Sequence, residues 1–132
     1  MKKLLIIFLF IFTSIFSNIC FADSVPQIYE LRTYTAVPGK LQELVKWFND
    51  STLNLFKKYN LKSIGYWIPN DKPNTFIYIM AHPNRQEAAK NWSALLADPD
   101  FQAIFNEARS NGPLIVSIES VYMEPTDFSP LR

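Results

Sequence analysis

From Ile28 to Tyr34 the side chains alternate with a period of two. Tyr29, Leu31 and Thr33 fall on one side of a strand, and Ile28, Glu30, Arg32 and Tyr34 on the other. A strand that only covers a core sets plainly polar residues on its second side. Here that side carries an acid, a base and a phenol. Pro38-Gly39 interrupts the alternation, and from Lys40 the period changes. Leu41, Leu44, Val45, Phe48, Thr52, Leu55, Phe56 and Tyr59 recur at steps of three and four, which predicts one amphipathic helix. It closes near Tyr59-Asn60, where asparagine tolerates the left-handed conformation that ends helices.

Alternation returns in a second strand, with Ile64, Tyr66 and Ile68 set against Ser63, Gly65 and Trp67. Pro69 to Asn74 is a turn by composition. The third strand, Thr75 to His82, places Phe76, Tyr78, Met80 and His82 opposite Ile77, Ile79 and Ala81. Asn84, with Glu87 three residues on, has the spacing of a capping box. Ala88, Ala89, Trp92, Leu95 and Leu96 form the stripe of the helix that follows. Asp98-Pro99 restarts a helix with an acid at the cap and proline in the first turn. Its inward residues are Phe101, Ile104, Phe105 and Ala108, and Asn111-Gly112-Pro113 stops it. Ile115 to Met123 is the last strand, and a proline-bearing tail runs from Glu124 to Arg132.

The order strand, helix, strand, strand, helix, strand is that of an α+β, ferredoxin-like βαββαβ unit with a four-stranded antiparallel sheet. Helices cover one face of such a sheet. The other face, rich in Tyr, Met, Phe and Ile, would be bare in a monomer, and a patch of that kind marks an interaction surface. The expectation is a homodimer whose two sheets pack face to face. The Glu30, Arg32 and Tyr34 side of the first strand, with Tyr78 and Met80, then looks at the second copy.

Composition narrows the setting. Lys2-Lys3, the apolar run from Leu4 and the small-residue step Cys20-Phe21-Ala22 form a secretory leader pattern, with cleavage expected after Ala22. The apolar stretch is shorter than the roughly 20 residues of a spanning helix, and Ile19 disfavours lipid attachment at Cys20. Residues 23–132 then form one domain of 110 residues, free of cysteine, secreted or periplasmic. Eleven basic residues against twelve acidic ones leave it about neutral, which favours neither nucleic acid nor an acidic membrane surface. Aromatic residues make up 15% of the chain, enough to build a core and leave rings for a pocket or an interface.

Three stretches, YELRTYTAVPGK from Tyr29 to Lys40, IGYW, and DPDF after a helix, resemble signatures of the NIPSNAP family of small dimeric α/β-barrel proteins. The resemblance runs from about Gln27 to Met123. It implies the ferredoxin-like unit and a barrel closed by two sheets, and it implies no agreed chemistry. In the third strand Tyr78 and Met80 stand where family members often carry a histidine and a tryptophan. Phe101 stands for a tryptophan.

The candidate ligand-binding residues are Glu30, Arg32, Tyr34, Trp67, Tyr78, His82 and Trp92. Glu30 and Arg32 read either as a polar cluster that orients a ligand or as an ion pair that registers the dimer, and the second reading carries more weight. His82 is the one histidine. Alone it supplies no clustered metal site, although it would suffice as a haem ligand, and a part-solvated histidine at a strand end is the favoured reading. Tyr34, Trp67, Tyr78 and Trp92 suit an apolar pocket between sheet and helices, or a core in which Trp67 packs on Trp92. No metal and no cofactor is expected. No nucleophile elbow and no glycine-rich phosphate loop is present. The leading expectation is an exported accessory protein that binds a small apolar or aromatic molecule. A cofactor-independent monooxygenase of the antibiotic-biosynthesis type is the alternative, and a structural interaction module using the tail and outer helix faces is the third.

Overall fold

The computed structural model describes residues 27–131, so the leader and Cys20 lie outside the described residues. Strand β1 spans Ile28–Ala36, β2 Lys62–Trp67, β3 Thr75–His82 and β4 Ile115–Met123. They form one antiparallel sheet in the order β2-β3-β1-β4, with β1 and β3 central. This is the ferredoxin-like arrangement predicted from the element order. Among the described residues no helix is long and apolar enough to cross a membrane.

The first helical segment is not one continuous α-helix. Helix α1 (Leu41–Trp47) passes into a π-helical turn (Phe48–Thr52) and then into α2 (Leu53–Lys58). Thr52 Oγ1 reaches back 3.4 Å to the Trp47 carbonyl, so a side chain serves the widened ladder. The inserted residue rephases the apolar stripe, and Phe48, Thr52, Leu55 and Phe56 are all buried. The segment closes as expected, with Asn60 at φ 54° and Leu61 N–H bonded to the Phe56 carbonyl at 2.8 Å.

Helix α3 (Arg85–Ala97) is capped by Asn84, whose side chain accepts from Glu87 N–H at 2.8 Å. Helix α4 (Pro99–Ala108) is capped by Asp98, which accepts from the amides of Asp100 and Phe101. Lys58 and Tyr59 also donate to the Asp98 carboxylate, and together these donors hold its pKa far below the usual carboxylate range. The end of α2 is thereby tied to the α3–α4 junction.

The face that meets the helices is the reverse of the one expected. Tyr34, Phe76, Tyr78 and Met80 point into the helices, and Tyr78 and Met80 are fully buried within a single chain. Phe48 lies at the hub, with ring centroids 4.9 Å from Phe76, 5.2 Å from Tyr78 and 5.5 Å from Tyr34. The physical reason is volume. The helices bring Leu44, Phe48 and Phe56, and large rings on the sheet fill that layer better than the aliphatic opposite side.

The outward face carries Leu31 beside Ile79 and Val121, and Thr33 beside Ile77, with Trp67 next to Ile77. Trp67 is 49% exposed and Val121 52%. An apolar outer face thus exists, but it is built from these residues and not from Tyr78 and Met80.

Candidate functional site

Glu30, Arg32 and Tyr34 leave β1 on the helix side at successive inward positions. Glu30 is almost wholly buried and ionic. Its Oε1 accepts from Arg32 Nη1 at 2.7 Å and Ser120 Oγ at 2.5 Å, and its Oε2 accepts from Trp92 Nε1 at 2.7 Å. His82 Nε2 lies 2.9 Å from the same Oε2. A carboxylate only accepts, so that nitrogen carries the proton. Burial opposes the charge, but the bonds from His82, Ser120 and Trp92 and the Arg32 charge outweigh it and bring the pKa down to about 2.

Arg32 is held as firmly. Its guanidinium carbon stands 4.3 Å from the centre of the Trp92 ring, a cation–π contact, and Nη2 donates to Tyr34 Oη at 3.4 Å. Tyr34 Oη also accepts from Tyr78 Oη at 3.0 Å. Burial and the neighbouring Tyr34 push the Tyr78 hydroxyl well above 10, so it stays a neutral donor.

These groups form the floor of a cavity of about 700 Å³ between sheet and helices. Trp47, Phe48 and Thr52 make one wall, and Trp92 of α3 another. Phe101 and Phe105 of α4 close the far side, their rings stacked with centroids 6.0 Å apart. Ile118 and Ser120 of β4 also line it, and the exposed Ile118 and Leu96 mark an apolar mouth beside that strand. Among the described residues no three His, Cys, Asp or Glu side chains converge on a possible metal site.

Of the residues singled out from sequence, Glu30, Arg32, Tyr34 and Trp92 line this cavity. Tyr78 stands behind Tyr34 and His82 behind Glu30. Trp67 is on the opposite face of the sheet, because it pairs with outward-facing Ile77. It therefore neither lines the cavity nor packs on Trp92. His82 is buried rather than part-solvated, since its ring is drawn against the Glu30 carboxylate. The Glu30–Arg32 pair forms within one chain, on the side of the sheet that meets the helices, where Ser120 and α3 hold it. Ser120 and Thr52 were missed. Ser120 meets Glu30 only through the β1–β4 register, and Thr52 only through the π-helical turn.

The family model described as NIPSNAP matches residues 29–130. The chain belongs to the NIPSNAP family. It is similar to a NIPSNAP family protein of unknown function from Agrobacterium tumefaciens, at 28% identity and TM-score 0.72, over 82% of this chain and 96% of that one. An uncharacterised NIPSNAP-like domain protein from Burkholderia xenovorans superposes with TM-score 0.72 at 23% identity, over 81% and 91% of the two chains. SnoaB, a cofactor-independent oxygenase from Streptomyces nogalater, shares the fold at 17% identity and TM-score 0.54, over 80% and 98%. No curated protein matches the sequence. In this NIPSNAP chain YELRTYTAVPGK supplies the cavity floor, whereas DPDF supplies the α4 cap and one ring of the far wall.

Proposed function

We propose that this NIPSNAP protein binds a small, flat, largely apolar molecule in the cavity between its sheet and helices. The observation that carries the reading is a cavity of about 700 Å³ whose aromatic walls meet a polar floor on a central strand. Small-molecule sites typically occupy roughly 300–1,000 Å³, are mostly apolar and hold a few convergent polar groups.

Binding is favoured over acid–base chemistry by the state of Glu30. A carboxylate with four hydrogen-bonding partners and a pKa of about 2 has little tendency to take a proton near neutrality. The cofactor-independent oxygenase reading draws on the fold shared with SnoaB, and oxygen uptake with a panel of phenols decides it.

The protein acts, in this proposal, as an exported homodimer. The leader pattern before Ala22 supports export. The outward sheet face with Leu31, Trp67, Ile77, Ile79 and Val121 supports pairing of two sheets, because apolar area of that kind gains by leaving water.

The test is calorimetric titration of the purified protein with polycyclic aromatic compounds, beside a Ser93→Phe variant that blocks the mouth. Ser93 lines the cavity and is solvent-exposed, so the fold tolerates the ring. Saturable binding at one site per chain, lost in Ser93→Phe, is the expected result. Binding that the variant leaves unchanged removes the reading.

A further inference from the structure

We infer that the molecule bound in this cavity presents a neutral carbonyl-type oxygen to Arg32, an inference that rests on the binding reading above. A guanidinium carries five N–H donors. Arg32 spends one N–H of Nη1 on Glu30 and one of Nη2 on Tyr34. Tyr34 Oη receives bonds from Arg32 and from Tyr78, and no acceptor among the described residues takes its own proton.

Nη1 and Nη2 each keep a second N–H, and Arg32 and Tyr34 both line the cavity, so the groups on its floor meet a ligand as donors, while the acceptor beside them, Glu30, already holds four hydrogen bonds. Buried donors left unmade are costly, and they select for a ligand that supplies acceptors.

Charge decides which acceptor. The Arg32 cation is already neutralised by Glu30 at 2.7 Å. A ligand carboxylate on the same guanidinium would bring a second anion against Glu30 in apolar surroundings, where unpaired charge is expensive. A ketone, enone or ester oxygen accepts the same bonds with no net charge. The Phe48 ring and the Phe101–Phe105 stack, which line the cavity, point to a flat ring system for the rest of the molecule.

Three probes of nearly one shape separate the possibilities: 2-acetylanthracene, anthracene-2-carboxylate and 2-isopropenylanthracene, titrated by quenching of tryptophan fluorescence. The expected order puts the ketone ahead of the alkene by about ten-fold or more, the worth of one charge-assisted hydrogen bond. The ketone also leads the carboxylate. Arg32→Lys keeps a cation beside Glu30 but loses the remaining guanidinium N–H donors, and Tyr34→Phe loses the phenol; each lowers the ketone-to-alkene ratio several-fold. A carboxylate that binds tightest overturns the inference, as does a ratio unmoved in both variants. If all three probes bind alike and Ser93→Phe abolishes each, the cavity reading stands and the carbonyl falls. If none binds, the cavity reading falls and this inference with it.

Discussion

Trp92 Nε1 on α3 donates a 2.7 Å hydrogen bond to Glu30 Oε2 on β1, 62 positions earlier in the chain. This bond joins helix to sheet at the floor of the cavity, and it gives the carboxylate one of the partners that keep a charge in the interior. The same tryptophan supports Arg32 from above, so acid, base and ring form one unit.

Replacing that charge is the severest change at the site. Glu30→Gln keeps the size but leaves Arg32 unpaired and offers an amide to donors built around a carboxylate. A loss of about 3–5 kcal/mol is expected for breaking a buried pair, against about 1–2 kcal/mol for Trp92→Phe, which removes one donor. Urea unfolding measures both. Equal, small losses would show that Glu30 is less committed than its bonds indicate.

Acid should weaken the fold through the same group. Glu30 titrates near 4.5 when unfolded and at about 2 when folded, so the folded state binds its proton less readily. Its contribution is fully present above the unfolded value and is lost as pH falls from about 4.5 toward 2. The loss is of the order of 3 kcal/mol, from about 1.4 kcal/mol per pKa unit. Glu30→Gln should flatten this part of the stability–pH curve. A wild-type curve as flat as the variant's over that range counts against the assignment.

Tyr78→Phe removes a hydroxyl from the fully buried ring while keeping its packing on Phe48 and Phe56. Loss of its bond to Tyr34 should cost about 1 kcal/mol, whereas Tyr78→Ala, which opens a cavity, should cost about 3–5 kcal/mol. Thermal unfolding compares the two. Similar values would mean that the ring contributes little packing.

On the outer face, Trp67 lies across Gly65. A Cβ at Gly65 would fall 2.7 Å from the Trp67 ring, so Gly65→Ala should displace the half-exposed indole. The expected signature is a shift in Trp67 emission, read in a Trp47→Phe, Trp92→Phe background, with only a small change in stability. An unmoved spectrum would place the ring elsewhere.

The proposed dimer makes a separate prediction. Val121→Glu and Trp67→Glu together set two charges on the outward face and should yield monomers by analytical ultracentrifugation without unfolding the protomer. Wild-type protein that sediments as a monomer at micromolar concentration ends the dimer proposal, but leaves the cavity untouched.

Periods, caps and turns, all short-range properties, were legible along the chain. Alternation at Ile28–Tyr34 and Thr75–His82, the three-and-four spacing after Lys40, and the caps at Asn84 and Asp98 were enough to name the ferredoxin-like fold. The stretch Tyr29 to Lys40 pointed to the NIPSNAP family, and Glu30, Arg32 and Tyr34 to one shared side.

Which side of the sheet the helices would cover was left to the tertiary structure. A period of two says which residues share a side, and in β1 and β3 both sides hold apolar groups, so either could have been the core. Packing chose the side whose rings fill the layer against Phe48 and Phe56. That choice buried Tyr78, Met80 and His82, turned Trp67 outward, and moved Glu30 and Arg32 from a supposed contact between copies to the floor of a cavity within one chain.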